Sequence, residues 1–135
     1  MADLTITAAS VRPLAGAISR RFAAGATLTP GVAVYMSGND IVSLADGSAV
    51  ATAAAIGVVV SDSTGAVSFP QYTAVDVVLH GPVTGYASNL AAGTVVYVDD
   101  DAGILADATG TKTCIVGIGL NTTTIMVNPI LISTS

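Results

Sequence analysis

The chain has no tryptophan and no glutamate, and only one histidine, one cysteine and one lysine in 135 residues. A single cysteine excludes an intrachain disulfide, so the sequence sets no redox compartment. One His and one Cys are too few for a zinc site, which needs several such ligands. The chain also has little material for general acid and base work, which needs partnered titratable groups. Charged residues make up 10% of the chain, against about 25% in an ordinary soluble domain. With so few charges to keep a free monomer soluble, much of the surface is expected to be covered by other subunits.

Long apolar runs are missing as well. The longest charge-free stretch, residues 113–135, is interrupted by Asn121, Asn128, Pro129 and several threonines. A transmembrane helix needs about 20 mostly apolar residues, so no membrane span is expected. Met1-Ala2-Asp3-Leu4 lacks the basic start and apolar core of a signal peptide. The expected site of synthesis is therefore the cytoplasm. The net charge is −5 and uneven. Arg12, Arg20 and Arg21 lie in the first 39 residues, whereas eight of the nine aspartates follow. An acidic body argues against a role on nucleic acid, which requires clustered Lys and Arg. The basic N-terminal segment suits an acidic partner.

What the chain does contain, it contains twice. Residues 28–60 carry Leu28, Gly31, Val34-Tyr35-Met36, Leu44-Ala45-Asp46 and Ile56-Gly57-Val58. Residues 90–120 carry Leu90, Gly93, Val96-Tyr97-Val98, Leu105-Ala106-Asp107 and Val116-Gly117-Ile118. A repeat of this length is one supersecondary unit that cannot cover its own apolar face, but two copies can cover each other. Short Val-rich runs, with Gly, Pro, Asn and Asp between them, indicate an all-β sandwich or barrel built from two related β-modules. Residues 1–25 precede the first copy and are the candidate N-terminal arm, with 26–135 as a single β-domain.

Several local expectations follow. Residues 3–9 alternate as a strand. Residues 17–24 are a strand rather than a helix, because Gly16 and Gly25 leave room for only two helical turns. Ala53 to Val60 is an apolar strand buried on both faces. Ser61 to Gly65 is a loop. Gly81-Pro82 and Asn128-Pro129 end strands.

No constellation points to catalysis. His80 stands at a strand end, and Asp76, four residues earlier, is too distant along an extended strand to orient it. Asp99-Asp100-Asp101-Ala102-Gly103 has the oxygen ligands calcium prefers, but not the alternating spacing of a calcium loop, and it fits a β-turn. Asp46 and Asp107 recur because the module recurs, and each suits a turn that its carboxylate ties to backbone. Cys114 lies in an apolar run and is expected to be a buried, inert thiol. No catalytic residue, cofactor or metal is expected.

The opening Ala2-Asp3-Leu4-Thr5-Ile6-Thr7-Ala8-Ala9-Ser10-Val11 resembles that of the small head decoration, or capsid cement, proteins of tailed bacteriophages. The similarity continues through Gly25-Ala26-Thr27-Leu28-Thr29-Pro30-Gly31, Val34-Tyr35, Leu44-Ala45-Asp46, Ile56-Gly57-Val58, residues 90–98 and Val116-Gly117-Ile118. Ile18-Ser19-Arg20-Arg21-Phe22 is more basic and bulkier than the matching stretch of that family. The resemblance implies a non-enzymatic protein on the outer surface of an icosahedral head. There it would form homotrimers and bridge neighbouring major capsid subunits to stabilise the shell. Leu4, Ile6, Arg12, Arg20 and Arg21 are the expected capsid contacts, and neither nucleic acid nor membrane is an expected partner. The competing reading is another virion module of the tail, fibre or host-adhesion type.

Overall fold

The structure, a computed structural model, describes residues 3–61, 67–87 and 89–133. The expected 61–65 loop falls, apart from Ser61, outside the described residues. Twelve strands are present among the described residues: β1 (Thr5–Ile6), β2 (Arg12–Pro13), β3 (Ile18–Ala24), β4 (Ala33–Gly38), β5 (Ile41–Leu44), β6 (Gly57–Val60), β7 (Ala74–Thr84), β8 (Tyr86–Ala87), β9 (Val95–Val98), β10 (Leu105–Ala106), β11 (Cys114–Gly119) and β12 (Thr124–Leu131). A helical turn, α1 (Val50–Ala53), and a 3-10 turn at Ala8–Ser10 complete the elements. The fold is all-β, as the composition and turn spacing predict.

Strands β3, β5, β4, β6 and β7 close into a five-stranded barrel, because β7 pairs with both β6 and β3. Val34, Val42, Val59, Val75, Val77, Phe22 and Ala24 fill its interior, with Leu28 and Phe69 added from outside the strands. Closure leaves these strands without a long free edge. The second module lies against the barrel wall: β10, β9, β11 and β12 run in that order and join the barrel through β12 and β7.

The repeat is a structural repeat. In the first copy β4 pairs antiparallel with β5 and with β6. In the second copy β9 pairs antiparallel with β10 and with β11. Val34 faces Gly57 in the first, and Val96 faces Gly117 in the second. A second core, shared by both copies, joins Ala33, Val58 and Val60 to Val96, Val98, Val116 and Leu105. Strand β6 separates the two cores: Val59 points into the barrel, while Val58 and Val60 point into the shared core. This is why Gly57 to Val60 carries no polar alternation.

Three boundaries differ from the sequence expectations. The buried strand begins at Gly57, not Ala53, because Val50 to Ala53 wind into a helical turn with the Ala53 amide bonded to the Ala49 carbonyl at 2.9 Å. Alanine favours that conformation. Gly81-Pro82 does not end a strand, since β7 runs through it. On one side of β7 the partner changes there from β3, last paired at His80, to β2, first paired at Val83. The missing proline N–H therefore costs no bond to either neighbour on that side. Asn128-Pro129 is likewise inside β12, where pairing with β7 stops at Val127 and pairing with β11 shifts register between Ile115 and Gly117.

Segment 3–24 lies along this body. Asp3 bridges Ala106, β1 pairs with β8, and β2 and β3 pair with β7.

Candidate functional site

The five expected contact residues fall into two groups. Leu4 is only 4% exposed and belongs to the shared core, with its amide bonded to the Leu105 carbonyl at 2.9 Å. Ile6 is half-buried beside Tyr86 and packs over Gly31, where an added Cβ would lie 2.7 Å from its side chain. These two residues fasten the segment. The three arginines are exposed.

Arg20 and Arg21 are successive residues of β3, so their side chains leave opposite faces. Arg20 pairs with Asp40 at 2.7 Å and stacks its guanidinium 4.8 Å from the Phe22 ring centroid. Arg21 holds Asp76 with bonds of 3.0 and 3.4 Å. Arg12 stands elsewhere, on β2 opposite Thr84. It borders a concavity of about 550 Å³ lined also by Thr7, Ser10, Leu14 and Tyr86. The structure therefore brings no cluster of three arginines together.

Two further surfaces could receive a partner. A groove of about 600 Å³ lies between the barrel and the end of β12, lined by Arg20, Phe22, Met36, Ile56 and Pro129. An uncharged depression of about 220 Å³ lies on β9, β11 and β12 among Val95, Ile115, Ile118, Met126 and Ile130. Ile18, Leu120 and Ile132 add to the exposed apolar surface. Of the residues lining these faces, sequence reasoning singled out only Arg20 as a contact. Their signal is an apolar residue at an outward strand position, which is visible only once the inner face is known.

Most of the residues capable of acid, base or thiol chemistry have structural occupations. Asp76 is held by Arg21, and His80 is exposed on β7 opposite Ile18. Cys114 is buried, which pushes its thiol pKa up and keeps it protonated. Asp46 accepts from the Ser48 hydroxyl and from the Ser48 amide at 3.0 Å, and from the Thr52 hydroxyl at 3.2 Å. The Ser48 hydroxyl does most to hold the Asp46 pKa below the usual carboxylate value. In the 99–103 turn, Asp100 accepts from the Thr111 amide at 2.8 Å and the Thr111 hydroxyl at 2.7 Å. Gly103 takes the positive φ of 79° that the turn requires.

The same turn brings Asp99 and Asp101 to Asp3, with one carboxylate oxygen of each within 4.8 Å of the others. Burial, then the neighbouring Asp3 carboxyl, raises the Asp99 pKa. Asp3 is 96 positions from Asp99, so no spacing in the sequence shows this meeting. Calcium takes about six to eight oxygens, and three carboxylates are a sparse set for it.

The architecture thus presents surfaces, with Asp46 and Asp100 occupied in holding turns. The sequence profile of the family described as structural cement protein (E217 gp24/Pam3 gp6) matches residues 9–128. The chain belongs to this family of phage structural cement proteins. The match covers both copies of the repeat and the strands that join them. No individual curated protein matches the chain. The role of the cement protein is structural. No helix of the described residues is long and apolar enough to cross a membrane.

Proposed function

We propose that this cement protein binds the outer surface of an icosahedral phage head, as a homotrimer, and bridges neighbouring major capsid subunits to stabilise the shell. The observation that carries this reading is the match to the structural cement family over residues 9–128. The physical features agree with it. A body with 10% charged residues and exposed Ile18, Ile118, Ile130 and Ile132 gains by covering those side chains. Each contact need only be modest, because repetition over a shell multiplies it.

In this mechanism Leu4 and Ile6 hold the N-terminal segment on the β-body, Arg20 and Arg21 are engaged by Asp40 and Asp76, and Arg12 presents charge to the shell. Nucleic acid and membrane are not partners in this reading, which requires neither catalysis nor a cofactor.

The test is the copy number of the chain per purified virion, relative to the major shell protein, by quantitative mass spectrometry. Hundreds of copies, near one per shell subunit or a simple fraction of that, support the reading. A handful per particle would assign the protein to the tail, a fibre or another host-adhesion module instead.

A further inference from the structure

We infer that the concavity around Arg12 is the receptor for an acidic side chain of the shell protein, an Asp or Glu flanked by an apolar residue. The inference rests on the shell-binding reading above and names the chemistry of its partner.

The first ground is charge. Of the three arginines, Arg20 and Arg21 already meet carboxylates, those of Asp40 and Asp76. Arg12 meets none among the described residues, although the chain carries nine aspartates and a net charge of −5. An exposed guanidinium left unpaired in an acidic protein complements an acid from outside.

The second ground is what surrounds it. Pairing of β2 with β7 sets Arg12 opposite Thr84, and the concavity of about 550 Å³ also collects the hydroxyl-bearing Thr7 and Ser10. A planar guanidinium binds a carboxylate through two parallel bonds, and neighbouring hydroxyls can donate to the remaining lone pairs. Leu14, 42% exposed, gives the same concavity an apolar wall. A free inorganic anion would leave that wall bare, whereas a protein segment covers it. A nucleic-acid phosphate is disfavoured by the acidic body around this one cation.

The test uses full-length protein and expanded shells purified without it. Wild type, R12Q, R12K, R20Q and R21Q are compared in equilibrium binding at low and high salt. The inference predicts that R12Q weakens binding by about 10-fold or more, the size of a lost charge-assisted pair. R12K falls between, and R20Q and R21Q stay within about two-fold of wild type. Salt weakens wild-type binding more steeply than that of R12Q. As a measurement that needs no variant, phenylglyoxal is expected to modify Arg12 in free protein and not in shell-bound protein.

Equal affinity and salt dependence for R12Q and wild type would overturn the inference and leave shell binding standing. Full modification of Arg12 on the shell would do the same. Loss of self-association by R12Q, with shell affinity unchanged, would reassign the concavity to a second copy of the chain. Wild type that fails to bind shells at all would remove the shell-binding reading and this inference together.

Discussion

Gly57 and Gly117 hold equivalent places in the two halves of the molecule. Each faces a valine of its own module, Val34 or Val96. Each also backs onto a main-chain carbonyl of the adjacent long strand, Val78 in β7 or Met126 in β12. A Cβ at either position would press into that carbonyl oxygen. Both glycines are thus required by a close approach of backbones, and the same approach was built twice.

Gly57→Ala and Gly117→Ala are each expected to destabilise the fold by about 3 kcal/mol, since a rigid strand must move to admit the methyl group. Gly93→Ala is the comparison. No atom lies within 4 Å of its added Cβ, and only its φ of 87° opposes the change. Its expected cost is about 1–2 kcal/mol. Urea unfolding of the three variants checks the order.

Leu4→Ala tests whether the N-terminal segment is part of the core. Its side chain is buried against the shared core, so truncation leaves a cavity and costs about 2–4 kcal/mol. An unfolding midpoint unchanged from wild type would mean that the segment is not seated in solution.

Tyr86 is buried, and its hydroxyl donates to the Gly31 carbonyl at 3.0 Å. Tyr86→Phe leaves that carbonyl unpaired and is expected to cost about 1–2 kcal/mol at neutral pH. Burial raises the phenol pKa above its ordinary value of 10.0. A raised acid pKa means the stabilising form is the neutral one. The stability it supplies is complete below pH 10.0 and is lost as pH rises above it. Unfolding followed from pH 8 to 11 is therefore expected to show a steeper alkaline loss for wild type than for the variant.

Asp99 carries the same lesson for a carboxylate. Burial and the adjacent Asp3 carboxyl disfavour its charged form in the fold. Its raised pKa favours the fold below the ordinary value of 3.8, and that benefit is lost as pH rises through the folded pKa. Asp99→Asn keeps an oxygen for the Asp100 amide and removes the charge. It is expected to raise the thermal midpoint at pH 7, with the gain shrinking as pH falls through the folded pKa and gone below 3.8. A lower midpoint at pH 7 would mean that the charge on Asp99 is compensated.

The sequence by itself determined the fold class, the duplication and the buried strand of each module. These are properties of nearby residues: alternation, turn composition and a repeated order survive in one dimension. It also marked Asp46 as a turn carboxylate and Cys114 as a buried thiol. Tertiary structure alone decided how the copies are used. It closed the first into a barrel, laid the second on the barrel wall, and carried β7 and β12 through their prolines where strand partners change. It sorted the N-terminal residues too, burying Leu4 against Leu105 while leaving Arg12, among the described residues, without the carboxylate that Arg20 and Arg21 found. The meetings of Asp3 with Asp99 and of Arg21 with Asp76 join residues far apart in the chain. Such contacts are set by register and closure, which depend on all the strands at once and leave no local pattern to read.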